Sequence, residues 1–343
     1  MIIRERVPAR VGLMGNPSDG FYGKTIAFLV HNFSCQVTLW ESPTLEIVPS
    51  LPHDHRSFDS LEELSQIAER EGYYGGIRLI FATCKKFRDY CRDQGLQLGS
   101  RNFTVTYETN IPRQVGLAGS SAIVAGTFKA LMRFYGLTEE QVPKPVQPNI
   151  VLSVETQELG LYAGLQDRVV QVYGGMVYMD FNEQHMGQHG HGRYESLDPD
   201  LLPPLFVAFM SDPSSLNRLH NAVRYRFESG DPAVRQAMRQ WAQYAEEAKQ
   251  ALAAGEKGRL AELMNANFDL RRRIYGEAAL GERNLEMIEI ARRLGLCSKF
   301  TGSGGAVVGI CEDDDLFGRL QAAYADRGYF CVRAQVQPPA ESS

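Results

Sequence analysis

An α+β fold with two domains is the architecture that the amino-acid sequence predicts. Segments with strand-like and helix-like periodicity alternate, but without the steady βαβ repetition of a parallel sheet. The length of 343 residues is sufficient for two hydrophobic cores. A polar stretch with several glycines and histidines, residues 182–201, is the predicted linker. We therefore expect one domain over residues 1–190 and a second over residues 191–343.

The elements of the N-terminal half follow from local patterns. Runs rich in β-branched and aromatic residues predict strands at 11–14, 36–39, 45–48, 103–107 and 175–181. A capping box of Ser60 and Glu63 predicts a helix through the sixties. Further helices are expected at 76–90, at 121–135 and from about 149. The helix at 76–90 has its apolar residues at helical spacing: Ile77, Ile80, Phe81, Cys84 and Phe87.

The C-terminal half begins with a predicted strand at 204–210. Asp231 and Pro232 mark the start of a long helix, and Gly255 marks its end. Beyond it we expect a helix at 285–294, a strand at 306–310, a helix at 316–325 and a strand at 329–336.

Composition excludes several classes of protein. With 44% hydrophobic and 22% charged residues, the chain is too apolar to be disordered. A net charge of −5 argues against the basic surface that nucleic acid requires. No run approaches the roughly 18 apolar residues of a membrane-spanning helix, and the first residues lack the apolar run of a secretory signal. We expect a cytoplasmic protein without nucleic-acid or membrane partners, whose oligomeric state the sequence leaves open.

Two sets of possible metal ligands are expected to bind no metal. The six cysteines show no CxxC spacing, which favours reduced and mostly buried thiols. His185, His189 and His191 lie in the predicted linker without a framing cysteine or carboxylate pair, so we expect a solvated loop there.

The strongest local signal for chemistry is the glycine-rich segment 114–122 between a strand and a helix. Its glycines let the backbone approach a ligand closely, and the helix that follows presents free N–H groups to an anion. The hydroxyls of Ser120 and Ser121 are suited to a phosphate or to Mg²⁺. A plain turn with a serine N-cap is an equally good interpretation of this segment alone.

A second constellation is the pair Glu155 and Asp167, twelve residues apart in apolar surroundings. Buried carboxylates are costly unless they are paired or bind a metal. One could hold Mg²⁺ while the other accepts a hydroxyl proton. The neighbouring Arg168 leaves a simple ion pair as the alternative.

Three further segments carry weaker signals. Residues 8–19 form a strand with Arg10, followed by a turn that presents Asn16, Ser18 and Asp19; an Asx-turn explains it equally well. The segment Lys299–Ala306 is glycine-rich but fits no dinucleotide fingerprint, and Gly23-Lys24-Thr25 lacks the first glycine of a Walker A loop.

Three consecutive arginines, Arg271–Arg273, spread around a helix, so one should point inward. It would serve as an anion clamp, or the run would be a solvated basic face.

In combination, the segments Pro8–Asp19, Pro112–Ala122 and Lys299–Ala306 resemble the three signature motifs of the GHMP kinase superfamily, in the same order. The resemblance is closest to the glucuronokinases of plants and covers nearly the whole chain. Its most specific blocks are EGYYGG at 71–76, GLQDRVVQVYGG at 164–175, NFDLRRR at 267–273 and SKFTGSGGAVV at 298–308. It implies the GHMP kinase fold, with an N-terminal domain like domain 2 of ribosomal protein S5 and a ferredoxin-like C-terminal α/β domain.

The resemblance implies an ATP-dependent sugar-acid 1-kinase. The γ-phosphoryl of ATP would pass to the anomeric hydroxyl of D-glucuronate, giving glucuronate 1-phosphate. By position in the motifs, Asp167 would be the catalytic base and Arg10 would stabilise charge at the transferred phosphoryl. The ATP loop would be Gly116, Leu117, Ala118, Gly119, Ser120 and Ser121. Mg²⁺ would be held by Ser121 and Glu155. The sugar side would be Asp19, Gly302, Ser303 and Gly304, with Arg271 as the candidate for the carboxylate.

One departure from the superfamily pattern concerns the substrate. The first motif has Pro8-Ala9-Arg10 and Gly15-Asn16-Pro17 where many members have Pro-Gly-Lys/Arg and Gly-Glu-His. This disfavours a galactokinase and leaves another sugar 1-kinase, acting on galacturonate, arabinose or a heptose, as the alternative. A non-catalytic sugar- and nucleotide-binding paralogue is less consistent with the sequence, because Arg10, Ser121, Glu155 and Asp167 are all present.

Overall fold

The computed structural model describes residues 1–50, 54, 59–64, 75–210 and 220–337, with side chains for all of these except 220–222. Helices and antiparallel sheets both occur, which confirms the α+β class. The chain divides into two compact units, each assembled from separate stretches. Unit 1 comprises Met1–Ala9, Asn32–Pro112 and Ala118–Tyr173; unit 2 comprises Arg10–His31, Arg113–Leu117 and Gly174–Ser343. The predicted boundary near residue 190 stays a prediction.

Two long strands run through both units. Strand β1 is Ile2–Met14 and strand β2 is Lys24–Ser42, and the two pair with each other. Both are longer than the short runs that the sequence predicts. Residues 7–14 of β1 and 25–30 of β2 are buried without interruption, so the alternation that marks a half-buried strand is missing there.

In unit 1, β2 pairs antiparallel with β4 (Asn102–Thr109), from Cys35 opposite Thr109 to Ser42 opposite Asn102. Strand β3 (Glu46–Ile47) adds to β4 in parallel. The helices of unit 1 are α1 (Gly76–Asp93), α2 (Gly119–Tyr135), α3 (Gln147–Ser153) and α4 (Leu165–Tyr173), and a π-helical turn, Val154–Glu158, follows α3 directly. Helix α2 ends at Gly136, which adopts the left-handed conformation that favours glycine.

One side-chain prediction in unit 1 is wrong. Phe81 was expected on the buried stripe of α1, but its side chain is 66% exposed, whereas Phe87 is 2% exposed. Phe87 packs against the ring of Phe128 at 5.9 Å between centroids. Helical spacing alone placed Phe81 beside Ile80 and Cys84, but the buried face of α1 is centred on Ile80 and Phe87.

One half of the Ser60 capping box is present, since the backbone N–H of Glu63 donates to the Ser60 hydroxyl at 3.0 Å, whereas the Glu63 carboxylate accepts from the N–H of Asp59 and not of Ser60. The remainder of the predicted helix through the sixties lies outside the described residues, as does most of the EGYYGG block.

In unit 2, the first residues of β2 pair with β5 (Met176–Asp180), and β5 pairs with β6 (Arg193–Leu197). The predicted linker at 182–201 is therefore wrong. Asn182 caps a short helix, α5 (Glu183–His189), and β6 is a regular strand of the sheet. The polar composition reflects the exposure of this edge and not the absence of structure.

A second sheet of unit 2 has the strand order β10-β7-β9-β8 and is antiparallel throughout. Its strands are β7 (Leu205–Met210), β8 (Lys299–Phe300), β9 (Ala306–Ile310) and β10 (Tyr329–Arg333). The helices are α6 (His220–Glu228), α7 (Pro232–Ala254), α8 (Lys257–Tyr275), α9 (Glu277–Leu280), α10 (Glu282–Arg293) and α11 (Asp314–Ala325). Asp231 caps α7 by accepting from the backbone of Ala233 and Val234, as predicted.

All six cysteines are free thiols and four of them are buried, which confirms the prediction for the cysteines. Within the described part of the chain, no helix has both the length and the apolar character needed to cross a membrane. Among the described residues, no group of three or more His, Cys, Asp or Glu side chains is arranged to hold a metal ion.

Candidate active site

The amino end of α2 lacks a side-chain cap. The N-cap position is Ala118, in the left-handed conformation at φ 62°, and the helix begins at Gly119. A serine-capped turn is therefore not what this segment forms. The first backbone N–H groups of α2 have no capping side chain, and the positive end of the helix dipole lies there as well. Ser120 in this first turn is exposed, so an anion can reach it.

Ser121 is fully buried and is held by Gln171 of α4. Its hydroxyl donates to the Gln171 side-chain oxygen at 2.5 Å. The Gln171 amide nitrogen in turn donates to the carbonyls of Pro8 at 3.2 Å and Ala118 at 3.1 Å. One buried amide thus connects β1, the N-cap of α2 and the Ser121 side chain.

The two predicted carboxylates come together around Arg168. Glu155 lies on the π-helical turn and is 4% exposed, and Arg168 on α4 is 3% exposed. One terminal nitrogen of Arg168 pairs with Glu155, and the other lies 3.2 Å from Asp167 and donates to the Gly164 carbonyl at 3.0 Å. The ion pair between Asp167 and Arg168, which was the alternative interpretation, is therefore present. The same guanidinium also pairs with Glu155, so Arg168 holds both carboxylates.

Helical geometry places Asp167 and Gln171 on the same face of α4, because they are four residues apart. The proposed base, the anchor of Ser121 and the counterion of Glu155 thus all come from one nine-residue helix. In unit 1, α4 therefore holds Ser121 through Gln171 and Glu155 through Arg168, and it carries Asp167 itself.

Arg10 in unit 2 is held by the second and third motifs. It is 4% exposed, and one guanidinium nitrogen donates to the carbonyls of Gly116 and Thr301, both at 2.9 Å. Its backbone N–H donates to Leu117, and the N–H of Gly12 donates to Thr301 at 2.8 Å. Arg10 is thus fixed by backbone oxygens on both sides.

Glycine is required where these motifs touch. Gly116 has φ +73°, and a Cβ built there would lie 2.5 Å from the Gly304 carbonyl oxygen. A Cβ on Gly302 would lie 2.8 Å from a guanidinium nitrogen of Arg10. Any larger residue at either position would force the backbones apart.

Arg271 is the arginine of the 271–273 run that points inward, at 1% exposed. Its guanidinium donates to the carbonyls of Gly302 at 2.7 Å and Ser303 at 3.4 Å, and it lies over the rings of Tyr275 and Phe300. Burial lowers the pKa of Arg271, and the negative charge of Asp19 is among the opposing effects. Of the predicted sugar-side residues, Gly302 and Ser303 thus contact this guanidinium, and the charge of Asp19 acts on it.

Several residues with a structural part in these motifs were not assigned by the sequence. The Asn267 side chain accepts from Gly15 N–H at 2.9 Å and donates to the Asn16 carbonyl at 3.1 Å. Asn284 accepts from Gly305 N–H at 2.8 Å. Lys299 and Gln171 are likewise buried and bonded. The sequence shows each of these only as a polar residue inside an apolar segment or a motif. Such a pattern does not identify the group to which the side chain bonds.

The predicted site residues fall into two groups. Unit 1 holds Ala118, Gly119, Ser120, Ser121, Glu155 and Asp167, and unit 2 holds Arg10, Asp19, Gly116, Leu117, Arg271, Gly302, Ser303 and Gly304. The histidines at 185, 189 and 191 lie on or just after α5, with ring centroids 4.3 to 6.1 Å apart.

Comparison with solved structures identifies the fold. The Lin0012 protein from Listeria innocua superposes with a TM-score of 0.75 at 15% identity, over 97% of each chain. Galactokinase from Lactococcus lactis, complexed with galactose, superposes with a TM-score of 0.72 at 13% identity, over 97% of this chain and 93% of the galactokinase. At such identities the likeness concerns the fold alone.

Sequence comparison is more specific. The model of the GHMP kinases N-terminal domain matches residues 78–175, and that of the GHMP kinases C-terminal domain matches residues 248–329. Glucuronokinase 1 of Arabidopsis thaliana is 49% identical over 311 residues, which cover 91% of this chain and 85% of that protein. Probable glucuronokinase 2 of the same plant is 47% identical over 313 residues, with the same coverage. The chain therefore belongs to the GHMP kinase family and, at this level of identity, to its glucuronokinase branch.

Proposed function

We propose that this protein is an ATP-dependent sugar-acid 1-kinase that converts D-glucuronate to D-glucuronate 1-phosphate. The observation that carries the proposal is the 49% identity, over 91% of the chain, to a protein named glucuronokinase 1. The geometry of the motifs supports it, because both carboxylates that the chemistry needs lie at one buried guanidinium. We also propose a cytoplasmic location.

ATP would be bound through its phosphates at residues 116–121. Support comes from the uncapped amino end of α2, whose N–H groups and dipole favour negative charge. Gly116 supports it as well, since only glycine permits the close backbone approach seen there. The exposed Ser120 hydroxyl would add a direct hydrogen bond to a phosphate oxygen.

Ser121 and Glu155 fit a magnesium site by their chemistry. Hydroxyl and carboxylate oxygens are hard donors of the kind that Mg²⁺ prefers, and both side chains are buried. The side-chain oxygen of Gln166, next to Asp167, is buried and accepts no hydrogen bond from the described residues. When bound, Mg²⁺ would neutralise phosphate charge. The residues themselves would hold it with only two side chains, so the nucleotide phosphates would supply other ligands.

Asp167 would accept the proton of the anomeric hydroxyl as that oxygen bonds to the γ-phosphorus and the bond to the β-phosphate oxygen breaks. Arg168 would fix the direction of the Asp167 carboxylate through its 3.2 Å contact. Arg10 would place positive charge at the transferred phosphoryl, where charge stabilisation is the main contribution to catalysis.

The sugar acid would be bound by Asp19 through its hydroxyls and by the Gly302–Gly304 segment. Arg271 as the partner of the C6 carboxylate stays a proposal. Its guanidinium is buried and donates to Gly302 and Ser303, so it would act on the substrate together with this segment.

The test is a substrate panel with purified protein, ATP and Mg²⁺, in which ADP release is measured. D-Glucuronate should be phosphorylated at the anomeric position with a higher kcat/KM than D-galacturonate, L-arabinose, D-galactose or a heptose. Product identity is checked by ³¹P NMR, which distinguishes a 1-phosphate from other esters. A higher kcat/KM for one of the other sugars would transfer the assignment to that sugar. No ADP release with any of them would contradict the kinase assignment.

A further inference from the structure

Lys299 is a buried lysine that the proposed reaction does not use. It begins the third motif on β8 and is 1% exposed. Its ammonium nitrogen lies 2.7 Å from each of three oxygens: the carbonyl of Gly12, the side-chain oxygen of Asn16 and the carbonyl of Phe300. Two of these three oxygens belong to the first motif and the third belongs to the motif of Lys299 itself.

Three acceptors at hydrogen-bond distance require three N–H donors. Only the charged ammonium supplies three, since a neutral amine would turn its lone pair toward one of the oxygens. Burial lowers the pKa of Lys299 well below its usual value, and the charges of Arg271 and Arg10 lower it further. Among the described residues, no carboxylate lies within ion-pair distance of this ammonium. The three oxygens are therefore what compensates its desolvation.

The contact with Lys299 determines how the Asn16 amide is oriented. Because an ammonium can only donate, the Asn16 oxygen must face it, and the amide nitrogen points the other way. That nitrogen lies 3.4 Å from the Phe300 carbonyl and 3.5 Å from the Gly302 carbonyl. The Asn16 amide nitrogen is thus directed at the backbone of Phe300 and of Gly302, the first residue of the segment 302–304.

The backbone of Asn16 is held independently. Asn267 accepts from Gly15 and donates to the Asn16 carbonyl, and the Trp241 ring nitrogen donates to the Asn267 carbonyl at 3.0 Å. Because Asn267 holds the backbone of Asn16, the contact of Lys299 with Asn16 acts on the direction of its side chain.

We propose that Lys299 is a positioning residue for the sugar acid, acting through the Asn16 amide. This inference rests on the proposed function, because it assigns Asn16 and the segment 302–304 to the sugar side of the site. Loss of the ammonium frees the Asn16 amide to rotate, so sugar binding weakens while the phosphate loop keeps its own contacts.

The experiment is a double-mutant cycle of Lys299→Met and Asn16→Ala, with KM for D-glucuronate and KM for ATP measured for all four proteins. Lys299→Met should raise KM for the sugar by about tenfold, which corresponds to about 1.4 kcal/mol, and change KM for ATP by less than about twofold. In the Asn16→Ala background the same substitution should have almost no further effect on KM for the sugar. The matched control is Lys257→Met, because Lys257 is an exposed lysine on α8. This substitution should leave KM for D-glucuronate and KM for ATP unchanged.

An unchanged KM for the sugar in Lys299→Met would overturn the proposal, and so would full additivity of the two substitutions. Lys299→Arg provides a second variant if Lys299→Met does not fold: a charged donor of different shape should keep part of the affinity for the sugar. Lys299→Arg is also introduced into the Asn16→Ala protein. If Lys299→Arg raises KM for the sugar by the same factor with and without the Asn16 side chain, the two residues are not coupled. The free energy of unfolding is also measured for the same four proteins, which gives a second double-mutant cycle. If the wild-type protein phosphorylates no sugar, the proposed function fails and the sugar-positioning role fails with it, whereas coupling in unfolding still shows separately whether Lys299 holds the Asn16 amide.

Discussion

Arg168 pairs with Glu155 in the interior of unit 1, and the same guanidinium also reaches Asp167. Two carboxylates with distinct proposed roles therefore share one buried cation. Removing one member of a buried ion pair leaves an uncompensated charge, which costs more than the pair itself contributes. The arrangement makes the stability of this region depend on Arg168.

We predict that Arg168→Gln lowers the free energy of unfolding by about 3 kcal/mol, because Glu155 and Asp167 lose their counterion. Chemical denaturation monitored by circular dichroism measures this value. Arg133→Gln is the control, since Arg133 pairs with Glu5 but its side chain is 61% exposed, and it should cost less than about 1 kcal/mol. A similar loss of unfolding free energy in the two variants would mean that the buried ion pair stabilises the protein no more than the exposed one.

Asp167→Asn should lower kcat by a factor of about 100 or more, because an amide cannot accept the hydroxyl proton. ATP binding, measured by isothermal titration calorimetry, should stay close to that of the wild type, since the phosphate loop is unchanged. Asp326→Asn, at the exposed end of α11, serves as the control for a generic loss of charge. Near-normal turnover of Asp167→Asn would show that the reaction needs no protein base.

The two phenylalanines of α1 provide a test of its buried face. Phe87→Ala should lower the free energy of unfolding by about 3–5 kcal/mol, because it leaves a cavity beside Phe128. Phe81→Ala should change it by less than about 0.5 kcal/mol, since its ring is 66% exposed. The same denaturation experiment measures both, and a large effect at Phe81 would contradict the described orientation of α1.

The cysteines should react slowly with thiol reagents at neutral pH. Burial raises the pKa of Cys35, Cys84 and Cys331 to about 12 and that of Cys91 to about 11. Burial is also the main cause of the raised pKa of Cys297 and Cys311. Since the thiolate is the reactive form, the rate should increase as the pH rises toward these values.

Labelling with a disulfide reagent at pH 7.5 should thus be slow in the native protein and should reach all six thiols rapidly in denaturant. Reaction within seconds in the native protein at Cys35, Cys91, Cys297 or Cys311 would contradict the burial of these four thiols.

Much of the secondary structure could be predicted from local patterns, but its edges could not. The capping residues Ser60 and Asp231 and the terminating Gly136 act within a few residues of themselves, so the sequence suffices to find them. The segment 182–201 looked like a linker because its side chains are polar. The edge strand at its end depends on pairing of β6 with β5, a contact that no local pattern reveals.

The candidate site shows the same division. Residue type and order in the chain determined by themselves which side chains are proposed for the chemistry: Asp167, Glu155, Ser121 and Arg10. Only the tertiary structure decided which partners hold them, namely Arg168 for the carboxylates, Gln171 for Ser121 and Lys299 for Asn16. The physical reason is that chemical capacity belongs to a single side chain, whereas the compensation of a buried charge or dipole depends on groups that folding brings within about 3 Å of it.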